Sequence, residues 1–127
     1  VISGAGGLTK LGPGALVLGA SGTYSGPTFI NAGVLRSGGG NNSISSSPVT
    51  IGALGTLDIN GTGTSQTMTI GSLSGSGTIL NSNTTAKTLS AGGDNTSTTF
   101  TGTFAAGAAA GNGFTKSGTG ILTLAST

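Results

Sequence analysis

The sequence predicts an all-β protein wound as a parallel β-helix, a β-solenoid of roughly six rungs with essentially no α-helix. Three observations predict it. First, the opening motif returns near the C-terminus: Gly7 to Leu18, GLTKLGPGALVL, is restated as Gly113 to Leu124, GFTKSGTGILTL. Second, apolar residues alternate with Thr, Ser or Asn over short segments, as in Val49-Thr50-Ile51 and Phe100-Thr101-Gly102-Thr103-Phe104. Third, the breaks are mostly single Gly or Gly-x-Gly bends; only Asn60-Gly61 and Asn112-Gly113 are two-residue turns of the hairpin kind. Short strands punctuated by Gly fit a sandwich, a barrel or a solenoid, and closely spaced bends favour a coil turning corners over a chain doubling back.

In each copy of the motif a Gly-x-Thr-Lys-x-Gly-x-Gly turn leads into a strand whose Leu16 and Leu18, or Leu122 and Leu124, point to one face. A second, independent repeat matches Ile2 to Leu8, ISGAGGL, with Leu73 to Ile79, LSGSGTI, and both read as glycine-rich corners between strand ends. Further strands are predicted at Thr28 to Ile30, Gly33 to Leu35, Val49 to Ile51, Thr56 to Ile59, Met68 to Leu73, Thr78 to Leu80, Lys87 to Leu89, Thr98 to Phe104 and Gly120 to Leu124. The Ala-rich Phe104 to Ala110 has room for one helical turn, which Gly107 and Gly111 weaken.

With rungs of roughly 20 residues the chain holds about six coils. It reads as one β-solenoid domain over 1–127, part of a longer repeat array or filament. The chain starts at Val1 and stops at Leu124-Ala125-Ser126-Thr127, halfway through its recurring motif. The expected partner is therefore either a continuing chain or a second copy added head to tail, with Val1, Ile2, Leu124 and Thr127 at the join.

Composition excludes several classes. Charged residues are only 5% of the chain, and 27 positions are Gly, but 34% hydrophobic residues in alternating pairs argue against a disordered linker. Lys10, Arg36, Lys87 and Lys116 form no phosphate-binding stripe, and with only Tyr24 and four Phe there is little to stack on bases, so no nucleic-acid partner is expected. No apolar run reaches the length of a membrane-spanning helix. Without Cys there are no disulfides.

No His, no Cys and two distant carboxylates, Asp58 and Asp94, leave no way to assemble a catalytic triad or a His/Cys metal site in one chain. The expectation is no enzyme, no cofactor, no metal and no small-molecule substrate. Gly92-Gly93-Asp94 reads as a tight turn with Asn95, because it is too small a fragment of a calcium-binding repeat to supply the ligands. Lys10 and Lys116 hold the same place in the two motif copies, and are expected to point outward at a corner, aiding solubility and blunting a strand edge. Tyr24 is expected at a corner with its hydroxyl at the surface. Asn31, Asn60 and Asn81 are candidates for an internal Asn ladder. The Thr62/Thr64, Thr67/Thr69 and Thr101/Thr103 pairs resemble ice-facing Thr ladders, but their irregular spacing reads as ordinary β-propensity. The sequons at Asn41, Asn60, Asn83 and Asn95 are what so Asn-, Ser- and Thr-rich a chain gives by chance.

The residues Gly7, Leu8, Thr9, Lys10, Gly12, Gly14, Leu16 and Leu18, then Tyr24 and Gly26 in Gly22-Thr23-Tyr24-Ser25-Gly26, resemble the autotransporter-associated β-strand repeat, also called the passenger-associated transport repeat. Gly113, Phe114, Thr115, Lys116, Gly118, Gly120, Leu122 and Leu124 resemble its first half. Pro13, Val17 and Phe114 depart from the usual pattern. The resemblance implies a right-handed parallel β-helix in a large bacterial surface or secreted protein, where the repeat helps the passenger cross the outer membrane and fold outside. The expected function is thus a non-catalytic extracellular stalk or filament subunit. The alternative is an adhesin or glycan-binding module using polar loops such as Ser37 to Ser47, against which the scarcity of aromatic residues counts.

Overall fold

The computed structural model describes residues 1–39, 44, 47–62, 66–105 and 107–125. Its strands are β1 (Ser3–Gly4), β2 (Leu8–Lys10), β3 (Ala15–Leu18), β4 (Thr23–Tyr24), β5 (Thr28–Ser37), β6 (Val49–Asp58), β7 (Thr67–Thr69), β8 (Leu73–Gly75), β9 (Thr78–Leu80), β10 (Thr88–Ala91), β11 (Thr98–Phe100), β12 (Thr103–Ala105), β13 (Gly113–Lys116) and β14 (Leu122–Leu124). Every pairing is parallel, and no helix occurs among the described residues. Parallel neighbours separated by one turn of chain make a β-solenoid.

Each turn visits three faces in a fixed order. Face 1 carries β1, β4, β7, β10 and β13. Face 2 stacks β2, the start of β5, the start of β6, β8, β11 and β14. Face 3 stacks β3, the end of β5, the end of β6, β9 and β12. On face 2 the successive turns take 20, 21, 24, 25 and 24 residues. The coil therefore makes about five turns instead of the expected six, because later rungs are longer than the motif's own spacing. The added length lies between faces 3 and 1, where four residues join β3 to β4 but seven join β9 to β10 and β12 to β13, and equally between faces 1 and 2, where three join β4 to β5 but six join β10 to β11 and five join β13 to β14.

Strand expectations are corrected by corner geometry in two ways. Thr28 to Ile30 and Gly33 to Leu35 belong to one bent strand, β5, as do Val49 to Ile51 and most of Thr56 to Ile59 in β6; a register shift between Ile30 and Ala32 makes the bend without ending the pairing. Conversely, Met68 to Leu73 and Thr98 to Phe104 each hold a corner and divide into β7 and β8, and β11 and β12.

The core is built from columns of residues, one per turn. On face 3, Leu16, Leu35, Leu57, Ile79 and Phe104 stack in register, and Leu35 and Leu57 are wholly buried. On face 2, Ile30, Ile51 and Phe100 are buried, while Thr9, Phe29, Thr50, Ser74, Thr99 and Thr123 form the outward column between the inward ones. Each fully buried Leu or Ile contributes ~1.5–3 kcal/mol.

Wherever it stacks on an earlier turn, the corner between faces 2 and 3 admits only glycine. Gly33, Gly55, Gly77 and Gly102 recur there, and a Cβ on Gly55 would lie 2.1 Å from the Ile30 carbonyl oxygen of the turn before. Gly14, by contrast, has nothing within 4 Å of its Cβ position and no positive φ. Gly55→Ala is expected to lower unfolding stability in urea by about 1–3 kcal/mol, as overpacking does, and Gly14→Ala to leave it unchanged or slightly raised. Equal effects from the two substitutions would contradict this reading of the corner.

Candidate functional site

The repeat motif builds a corner. After β2, Gly12 adopts φ +73°, and after β13, Gly118 adopts φ +66°. That left-handed residue turns successive carbonyls to one side, where the lysine two positions earlier meets them. Lys10 Nζ donates to the carbonyls of Leu11 at 2.8 Å, Gly12 at 2.7 Å and Ala32 at 3.1 Å. Ala32 belongs to the next turn, so one ammonium spends its three hydrogens on its own corner and the one beside it. Lys116 Nζ likewise donates to the carbonyls of Ser117 and Gly118. The expectation of outward, solubilising lysines is thus corrected: Lys10 is only 7% exposed, and although Lys116 is exposed, its ammonium too folds back onto its corner.

The two copies sit on different corners. Lys10 ends a strand of face 2 and leads to face 3, whereas Lys116 ends a strand of face 1 and leads to face 2. The second repeat behaves alike: Gly4, with φ +106°, turns from face 1 to face 2, and Gly75, with φ +103°, turns from face 2 to face 3. Each motif specifies a local bend, and either bend serves at two of the coil's corners.

The remaining polar side chains are also directed at neighbouring turns. Tyr24 is 1% exposed, and its hydroxyl lies 2.7 Å from Thr28 Oγ1, itself 3.0 Å from Ser47 Oγ. Ser47 donates to the Gly26 carbonyl at 2.7 Å, which orders the chain of donors: Tyr24 to Thr28, Thr28 to Ser47, Ser47 to Gly26. The expected surface hydroxyl is therefore a buried one, because the ring enters the core and Thr28 receives its proton; burial pushes the phenol pKa up, more than the Thr28 hydrogen bond lowers it. Asp58, fully buried, accepts from Arg36 Nε at 2.8 Å, Ser82 N at 3.0 Å and Ser82 Oγ at 2.7 Å. Arg36 is 38% exposed and Asp58 is buried, so the carboxylate depends on Ser82 as well as on the half-exposed guanidinium.

Asn31, Asn60 and Asn81 do not form one ladder. Asn31 is exposed; Asn60 joins Ser82 and Asn83, and Asn81 joins Thr85 and Asn112. Gly92 to Asn95 is the expected tight turn, closed by Asn95 N donating to the Gly92 carbonyl at 3.0 Å. Its two side chains grip opposite neighbours: Asp94 accepts from Ser72 N at 2.7 Å and Thr96 N at 3.1 Å, and Asn95 Oδ1 from Thr119 N at 2.9 Å.

Of the Thr-x-Thr pairs, Thr67 and Thr69 flank inward Met68 on face 1, Thr101 and Thr103 fall at a corner and on face 3, and Thr64 lies outside the described residues. Val1 is 88% exposed, Ile2 40% and Leu124 52%; Thr127 and Asn41 also lie outside the described residues. A hollow of about 420 Å³ is lined by Ile79, Leu89, Phe104 and Phe114 with Asn81 and Asn112 at its polar side, and no lining residue is titratable. The partners Ser47, Ser82, Thr85 and Asn112 were not foreseen. The signal that finds Ser82 is the rung spacing itself, since Arg36, Asp58 and Ser82 follow one another at 22 and 24 residues.

The passenger-associated-transport-repeat family model matches residues 8–36 and 114–127. The chain is similar to this repeat over those two stretches, about a third of its length. The first match contains the Lys10 corner and the buried Tyr24, and the second contains most of the Lys116 corner. No curated protein and no solved structure matches the chain.

Burial pushes the Asp94 carboxyl up, but the hydrogen bonds from Thr96 and Ser72 outweigh it and hold its pKa below the ordinary 3.8. A depressed folded pKa means a contribution present above the unfolded value and lost as pH falls through the folded one. Amide-exchange protection of Ser72 and Thr96 is therefore expected to drop as pH is lowered below about 4, while Thr119, bonded to neutral Asn95, holds its protection. Parallel loss at all three amides would contradict the assignment.

Proposed function

We propose that the chain is a non-catalytic structural segment of a bacterial surface or secreted passenger, a right-handed β-helical stalk that stands outside the cell. The observation that carries this reading is where the polar groups point. The carboxylates, the Tyr24 hydroxyl and the ammonium groups of Lys10 and Lys116 bond to the coil's own corners and turns, leaving none of them directed at a substrate. The repeat family supports the location, being a transport repeat of passengers. The alternative adhesin loop, Ser37 to Ser47, falls largely outside the described residues and gains no support from them.

The sharper form of the proposal has further rungs adding along the coil axis, from more of the same chain or from a second copy head to tail. In the second case β1, β2 and β3 of one copy lie over β13, β14 and β12 of its neighbour, face upon face, with Ile2 and Leu124 near the join. Electron microscopy of the purified chain at high concentration is expected to show filaments with a rung repeat near 4.8 Å. Single short rods alone would overturn head-to-tail assembly. An antibody to the chain is expected to label intact source cells or their medium, and labelling only after permeabilisation would overturn the stalk itself.

A further inference from the structure

The two lysine corners are built alike, and only one of them is complete. Lys10 spends two hydrogens on its own corner, at the Leu11 and Gly12 carbonyls, and the third on the Ala32 carbonyl of the turn that follows. That turn covers the corner and leaves Lys10 buried. Lys116 bonds to the Ser117 and Gly118 carbonyls of its own corner in the same way, yet it is exposed, and its third hydrogen meets no acceptor among the described residues. The missing partner is the one that Ala32 supplies to Lys10, a backbone carbonyl from a turn stacked on the far side. The carbonyl oxygens already gathered on the ammonium repel a free anion from that place.

The inward columns are uncovered at the same end. Phe104 is 43% exposed where Ile79, one turn earlier, is buried, and Leu124 is 52% exposed where Phe100 is buried. Phe104 and Phe114 pack edge to face at the wall of the hollow they share with Ile79 and Leu89. At the opposite end, residues 4–7 form an exposed corner between the same two faces as the Lys116 corner, and half-buried Leu16 begins the column in which Phe104 stands last. We propose that the Lys116 corner is a docking site for the first turn of a second copy, a carbonyl of residues 4–7 taking the third hydrogen of Lys116 while Leu16 seats on Phe104. This contact rests on the head-to-tail stacking proposed above, and it fixes the register of the join.

The test compares filament assembly of the full chain with that of Lys116→Met, which keeps an extended side chain without its donors, and of Thr99→Met on the outward column of face 2. The expected result is an assembly threshold raised about tenfold or more for Lys116→Met, an unchanged threshold for Thr99→Met, and equal thermal melts of the unassembled chains. Acetylation of the unmodified chain is read alongside: Lys116 is expected to react in single coils and to be protected in filaments, with buried Lys10 protected in both. Filaments in which Lys116 still reacts, or a Lys116→Met threshold equal to that of the unmodified chain, overturn this contact and leave head-to-tail stacking standing. Should Lys116→Met fail to fold, the acetylation result alone decides. Short rods at every concentration overturn both.

Discussion

A solenoid can pair along all its faces only if the backbone of each corner lies directly on the corner before it. This contact is the constraint from which the other features follow. Where Gly55 passes over Ile30, and Gly77 over Gly52 and Gly55, a neighbouring carbonyl occupies the place a side chain would take. The high glycine content is thus a consequence of stacking. It leaves a second problem, because corner carbonyls are turned away from the ladders and need donors of their own.

The few charged and amide side chains answer that need. Lys10 supplies hydrogens to three corner carbonyls, Asn81 to Thr85, Asn83 to Gly61 and Ser47 to Gly26. Asp58 and Asp94 do the reverse, accepting from backbone amides of the neighbouring turn.

Much of this was legible in the residues. The parallel coil, the absence of helix and the positions of most strands follow from alternation and from the kind of bend. The Gly92 to Asn95 turn was legible because Gly-Gly-Asp-Asn bends by itself. What was not legible was long-range. Sequence likeness placed Lys10 and Lys116 at one repeated position, but a motif that encodes a bend says nothing of which corner it makes, and the two lie on different ones. Tyr24 was misjudged because its partners Thr28 and Ser47 meet it only once two turns stack. The rung length drifted from 20 to 25 residues because the connections into and out of face 1 lengthen, and no motif marks their length.

The central claim is that consecutive turns stack in parallel register through these corners. Nuclear Overhauser contacts at Phe29 test it most directly, because Phe29 stands between Thr9 of the turn before and Thr50 of the turn after. The account predicts backbone contacts from Phe29 to both, in the pattern of parallel strands. Contacts to neither, or the cross-strand α-proton pattern of an antiparallel pair, would contradict it.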